Sequence, residues 1–268
     1  MLLLGIVTLS CSSSDDDNPD TNDEIYNYFP LNTGNSWTYN NTTIYDGSDN
    51  FSNQETITLD SSSEDLGVTY YQLSSNLSIM NQGFFTGILT NGNLIKAENQ
   101  LVYNGEIDFN NFIPGLIENL KFELANIILY DTDANTTDIL SLEEDQFTQT
   151  INIQGNNVPI TFAYIITSKQ EGVLSDYMAG EENFDSVIQT NITVNLKVFA
   201  SLFGANIPIL APQDAIKIKN FYANDVGMVY SNTVVNYELE DLNIPNFPEI
   251  KNEDINYTQE IDSYLVNQ

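Results

Sequence analysis

Residues 187–203 read Val-Ile-Gln-Thr-Asn-Ile-Thr-Val-Asn-Leu-Lys-Val-Phe-Ala-Ser-Leu-Phe. Ile188, Thr190, Ile192, Val194, Leu196 and Val198 fall on one face, and the polar or charged Gln189, Asn191, Thr193, Asn195 and Lys197 on the other. A period of two over so long a run is the pattern of a strand buried on one side. Such a strand cannot stand alone, because its backbone donors and its apolar face both need partners.

The same alternation recurs along the chain. It is seen at 36–45, where Trp37, Tyr39, Asn41, Thr43 and Tyr45 share a face, and again at 55–60, 68–79 and 257–266. The segment 146–167 reads as a hairpin with Gln-Gly-Asn-Asn at its turn, and 215–239 as two strands around Asn224-Asp225. The segment 83–103 is expected to be a hairpin turning at Asn91-Gly92, a pair suited to positive φ. Helix signals are few. The run 115–129 has Leu116, Leu120, Leu124 and Ile128 at a spacing of four, and fits either a short helix or a bent strand.

Strands joined by short turns pair antiparallel. Ten or so in one sheet must curl, split or close. The expectation is therefore an all-β, mainly antiparallel fold, with room for one short helix. A strongly curved sheet, a half-barrel or open barrel, and a two-sheet sandwich all satisfy it. Hydrophobic residues make up 41% of the 268, enough to fill a core of that kind. Trp37, the only Trp, is expected as a core anchor.

Charge narrows the function classes. There are 38 acidic residues against 7 basic ones, all lysines, and the formal charge is −31. Nucleic acid is a poor partner for such a chain, since binding depends on Lys and Arg neutralising phosphates. His is absent, which removes Ser-His-Asp and Cys-His catalysis and His-type zinc sites. Of metal ions, oxygen-ligand cations such as calcium remain open, and no other cofactor is expected. Asp131, Asp133 and Asn135 have the spacing of the first half of a calcium loop, but Thr136 stands where Gly is needed and Leu142 where Glu is needed. Adjacent carboxylates at 143–145 and 181–182 raise the alternative of a weak acid/base hydrolase. Tyr70, Tyr71 and Tyr230 are candidate ligand-facing aromatics if they are exposed together.

The N-terminus carries an address. Residues 2–9 are apolar but too few to span a bilayer, and they end at Ser10-Cys11. Thr8-Leu9-Ser10-Cys11 resembles a bacterial lipoprotein signal, with Thr8 where Leu, Val or Ile is usual. The resemblance implies a signal peptide over 1–10, a lipid on Cys11, and an acidic flexible tether over 11–24 ahead of one β-rich domain over 25–268. Ser12, Ser13, Ser14, Asp15, Asp16 and Asp17 resemble the export signal of Bacteroidetes (flavobacterial) surface lipoproteins, which implies display on the outer membrane. Phe29, Pro30, Leu31, Gly34, Trp37 and Tyr39, then Tyr222, Ala223, Val226, Gly227 and Val229, resemble the two ends of an uncharacterised β-rich group of such lipoproteins. The group implies a curved antiparallel sheet and no established activity.

The expected protein is thus a lipid-anchored, non-enzymatic binding or accessory module for a glycan or protein partner. The alternatives are a carrier or chaperone of a lipophilic ligand in a half-barrel, and the hydrolase. A carrier requires an apolar cavity open to solvent. A glycan module requires an exposed aromatic patch.

Overall fold

A computed structural model describes residues 26–45, 50–108, 121–153, 156–202, 204–241 and 252–267. Cys11 and residues 12–17 lie outside the described residues.

In chain order the strands are β1 (Ser36–Tyr45), β2 (Phe51–Asp65), β3 (Val68–Ser75), β4 (Gly92–Ala97), β5 (Gln100–Asp108), β6 (Lys121–Asp131), β7 (Ile139–Ile153), β8 (Asn156–Leu174), β9 (Tyr177–Ala179), β10 (Glu182–Phe184), β11 (Val187–Leu202), β12 (Ala205–Ala223), β13 (Gly227–Tyr237) and β14 (Glu253–Leu265). A 3-10 turn (Ile79–Asn81) and one helix, α1 (Phe84–Thr90), lie between β3 and β4. Twelve strands form one antiparallel sheet in the order β6-β5-β4-β3-β2-β1-β14-β13-β12-β11-β8-β7, and β9-β10 is a separate hairpin. The last strand is the hub of this order, because β14 inserts between β1 and β13.

The sheet curls until its two edges meet, so the fold is an all-β, nearly closed barrel. The closing seam joins β6 to β7 and β8, largely through side chains. Gln170 of β8 accepts from the Asp131 backbone N–H at 3.2 Å and donates to the Asp131 carbonyl at 2.8 Å. Ser168 donates to the carbonyl of Ile128, whose N–H donates to Ser141 of β7 at 3.3 Å. Glu143 accepts from the Ala125 N–H. These side chains stand in for a backbone ladder and cover an edge that would otherwise offer unpaired groups.

Alternation fills the interior. Trp37, Tyr39, Ile57, Leu59, Phe122, Phe162, Ile166, Ile192, Ile218 and Tyr222 all point inward and are buried. Tyr130 meets Tyr222 at 5.3 Å between ring centroids, so the edge strand β6 packs on β12 across the interior. The interior is therefore packed with side chains, unlike the open half-barrel a carrier would use. The β9-β10 hairpin folds over the outer face, where Tyr177 stacks on Phe221 at 4.4 Å and the Gly180 N–H donates to Glu260.

One open reading is resolved and one expectation is corrected. Of the two readings of 115–129, the described part follows the bent strand: Lys121–Asp131 is a strand, and 115–120 lie outside the described residues. Phe122 and Leu124 point inward, then Ala125 and Asn126 form a bulge with Asn126 at φ 57°, after which Ile127 and Leu129 point inward. The bulge shifts the phase of the alternation, so no single period holds across the strand. The segment 83–103 is not one hairpin. Asn91 ends α1 with φ −96° and its N–H on the Ile88 carbonyl, and the turn comes later, where Glu98 has φ 50°. The hairpins at 146–167 and 215–239 are present, the latter turning at Asp225 with φ 60°.

Candidate functional site

The two ends of the barrel differ. Residues 26–35 lie at one end, where the Asp225 N–H donates to the Asn27 carbonyl and the Asn27 N–H donates to Asn224. From there β1 runs to the other end, which we call the mouth. The helix α1 is seated in the mouth.

Sequence explains α1. Phe84, Phe85, Ile88 and Leu89 recur at helical spacing and are all buried. The helix start has no side-chain cap of its own, and the barrel wall supplies one. Gln259 of β14 accepts from the Phe85 N–H at 2.7 Å and the Thr86 N–H at 3.2 Å. Glu55 of β2 accepts from the Gly83 N–H at 2.9 Å and the Thr86 hydroxyl at 2.6 Å. Asn41 and Ser75 also donate to Glu55, at 2.9 and 2.7 Å. Glu55 is wholly buried, and four donors satisfy its carboxylate, as a buried charge requires. Gly83 must be Gly, because a Cβ there would run into the Gln259 side chain and come within 2.9 Å of Asn41 Oδ1. At the far side of α1, the Tyr103 hydroxyl donates to the Ile88 carbonyl at 2.6 Å.

Seating α1 in this way leaves a cleft of about 510 Å³ at the mouth. One wall is α1 itself, through Phe84, Gly87 and Ile88, with Tyr257 of β14 packed on Phe84 at 5.2 Å. Tyr45, Phe51, Ile79 and Met80 form the rim, and all four are exposed. Gln82, Asn91 and Glu106 bring polar groups to the lining. Glu106 is its one carboxylate; it pairs with Lys121, and that hydrogen bond holds its carboxyl below the usual carboxylate range. The volume falls in the range of small-ligand sites, and the lining mixes apolar and aromatic side chains with polar ones.

The residues singled out from sequence lie elsewhere. Tyr70 and Tyr71 are neighbours on β3 and point to opposite faces; Tyr71 packs on the core. Tyr230 lies on the outer face of β13, against Phe221 at 5.7 Å. All three are half-buried, and β2, β1 and β14 separate Tyr71 from Tyr230, so they form no common patch. Asp131 ends β6, and Asp133 and Asn135 lie in the loop after it. Asp131 accepts from the Asp133 N–H at 2.9 Å and from Gln100 at 2.7 Å, and Asp133 accepts from Asn99. Asn135 donates to Asp138. These are the bonds of an ordinary Asx-type turn, and no group of three or more Asp, Glu, His or Cys suited to a metal occurs among the described residues. Of the adjacent carboxylates, Glu143 serves the seam and none at 143–145 or 181–182 reaches the cleft lining.

The cleft residues Phe51, Met80, Gln82 and Glu106 were not singled out from sequence, and Asn91 only as a turn residue. The one usable signal was the Phe84, Phe85, Ile88, Leu89 spacing, which the Asn91-Gly92 pair masked as a hairpin.

Comparison with protein-family models, with curated proteins and with solved structures finds no match for this chain. No helix among the described residues is long and apolar enough to cross a membrane.

Proposed function

We propose that this chain is a lipid-anchored, non-enzymatic lipoprotein of the cell surface, and that the mouth cleft is its ligand seat. The cleft carries the ligand-seat reading: a concavity of about 510 Å³ with exposed rings at its rim and two amides in its lining. A glycan suits that chemistry best. Tyr45 and Phe51 present exposed rings to sugars at the rim, and Gln82, Asn91 and Glu106 bring hydrogen-bonding groups to the lining. The net charge of −31 disfavours anionic ligands. Residue 26, next to the tether on Cys11, lies at the end opposite the mouth, which favours a ligand met from outside over one drawn from the anchoring membrane.

A second reading, a carrier of a small lipophile, draws support from the exposed Ile79, Met80 and Phe51 on the rim. In that reading the ligand sits in the mouth, since side chains fill the interior.

Calorimetry on the full chain carrying Cys11→Ser, against soluble oligosaccharides and against short-chain fatty acids, separates the two. Saturable sugar binding that drops at least tenfold in Phe51→Ala supports the glycan seat. Binding of fatty acids alone replaces it with the carrier. Binding of neither removes the cleft as a ligand seat. For the anchor, Cys11→Ser should move the protein from the membrane to the soluble fraction, and retention in the membrane would sink the lipoprotein assignment.

A further inference from the structure

The outer face of one wall departs from the charge of the rest of the chain. β11, β12 and β13 together hold one carboxylate, Asp214, in a chain with 38 acidic residues. Six lysines lie among the described residues. Lys197 is on β11, Lys217 and Lys219 are on β12, and Lys169 is on the neighbouring β8; only Lys96 and Lys121 lie elsewhere. The four point outward, since the residues that alternate with them, such as Leu196, Ile216 and Ile218, are buried.

Register arranges these lysines around a channel. Lys169, Asn191 and Lys219 are directly opposite one another across β8, β11 and β12, and directly paired residues share a face. Lys217 lies opposite Thr193, one step further toward the mouth. Asn191, Thr193 and Asn195 thus run along β11 as a floor of short polar side chains. Lys169 flanks the floor on one side, Lys217 and Lys219 on the other, and Lys197 stands at its end. Strands about 4.8 Å apart set the backbones of Lys169 and Lys219 roughly 10 Å apart. Two carboxylates border the channel. Glu171 meets Lys169 at 3.3 Å, and Asp214 meets Lys217 at 3.6 Å and accepts from Asn195 at 2.9 Å. Surface pairs of this kind hold weakly. Lys197 and Lys219 have no ion pair among the described residues, and Lys197 lies over the ring of Phe199 at 5.3 Å.

Charge complementarity makes the occupant an extended polyanion. The net charge of −31 opposes one at long range. Salt screens charges beyond about 8 Å at physiological ionic strength, so at contact the wall's own groups decide. An acidic protein fits poorly, because protein interfaces centre on apolar and aromatic anchors and this floor is amide and hydroxyl. A nucleic acid fits poorly too. Four lysines neutralise few phosphates, and Asn191, Thr193 and Asn195 offer no ring for a base to stack on. Amides and a hydroxyl set between spaced ammonium groups match a sugar chain that carries hydroxyls throughout and acidic groups at intervals. We infer that this outer face of β8, β11 and β12 binds an anionic polysaccharide, one bearing carboxylates or sulfates, along the floor of Asn191, Thr193 and Asn195. It is a second surface, because none of its residues lines the mouth cleft.

Affinity electrophoresis of the full chain carrying Cys11→Ser tests this, in gels holding polygalacturonate, dextran sulfate or neutral dextran. Retardation by an acidic polymer and none by dextran is expected, weakening as salt rises. The stronger of the two acidic polymers identifies carboxylate or sulfate as the group recognised. Lys169→Gln combined with Lys219→Gln should raise the dissociation constant at least tenfold, while Lys96→Gln, on β4, leaves it unchanged. Retardation by neither acidic polymer overturns the inference. An equal loss in Lys96→Gln also overturns it, because net charge and not the wall would then set binding. Competition by polyglutamate or single-stranded DNA that is stronger than by either polysaccharide would reassign the face to an acidic protein or a nucleic acid.

Discussion

The indole ring of Trp37 lies directly over Gly227. A Cβ added to Gly227 would stand 2.8 Å from Trp37 Nε1, and Gly227 has φ +121°. The same indole N–H donates to the Val226 carbonyl at 2.6 Å, and the Tyr39 hydroxyl donates to the Met228 carbonyl at 2.9 Å. The first strand and the β12–β13 turn are thus pinned together by two side chains that bond backbone on either side of one glycine. Gly227→Ala is expected to destabilise by about 2–4 kcal/mol, combining backbone strain with overpacking. Urea unfolding followed by the fluorescence of the only Trp measures it, and an unchanged midpoint would mean that the ring moves aside freely.

Glu55 of β2 anchors α1 two strands away from Gln259 of β14. Removing it leaves the Gly83 N–H, the Thr86 and Ser75 hydroxyls and the Asn41 amide short of their acceptor. Glu55→Ala should cost roughly 3–5 kcal/mol, since several buried donors lose a charged partner. Ligand binding at the mouth should fall with it, because α1 is a wall of the cleft. Chemical denaturation and calorimetry on the same variant would show both losses; a stable variant with an intact cleft would contradict the arrangement.

The seam is the part of the barrel held by the fewest backbone bonds. Gln170→Ala removes a donor and an acceptor from Asp131. Amide hydrogen exchange over β6 should then quicken at least tenfold, while β1, β13 and β14 keep their protection. Equal quickening everywhere would show that the seam opens only with global unfolding.

Alkali should weaken the fold through its tyrosines. Burial pushes the Tyr39 and Tyr222 hydroxyls well above the ordinary 10.0, aided by Glu55 near Tyr39 and by Tyr130 near Tyr222. Tyr164 is pushed up to about 12, by burial first and then by Asp145, Glu143 and Glu123. A raised folded pKa means that the folded state holds protons the unfolded chain has released. The stabilisation is therefore whole below about pH 10 and is lost as pH rises toward the folded values, at about 1.4 kcal/mol per pH unit for each fully buried tyrosine. Denaturation midpoints between pH 9 and 12, with phenolate absorbance alongside, check the sign. Early ionisation of all fifteen tyrosines in the folded protein would refute it.

Most strands were legible because a one-sided strand writes its burial into every second residue. Residues 36–45, 187–202, 215–237 and 257–265 fold as their alternation dictates. Reading stayed open or failed where a local signal had two meanings. At Asn126 a bulge broke the phase, so alternation alone left helix and bent strand undivided. At Asn91-Gly92 a turn-forming pair closed a helix instead of a hairpin.

By itself, the sequence determined that this chain is β, antiparallel, acidic and without histidine chemistry, since these follow from periodicity and composition. Only the tertiary structure decided that the sheet closes, that Glu55 and Gln259 seat a helix in its mouth, and that Lys169, Asn191 and Lys219 align across three strands. Those outcomes depend on strand order and register, which join residues as distant as Asn41 and Gln259. A pairing over that separation leaves no trace in local alternation, because each strand's pattern says which face is buried and nothing about which strand lies beside it.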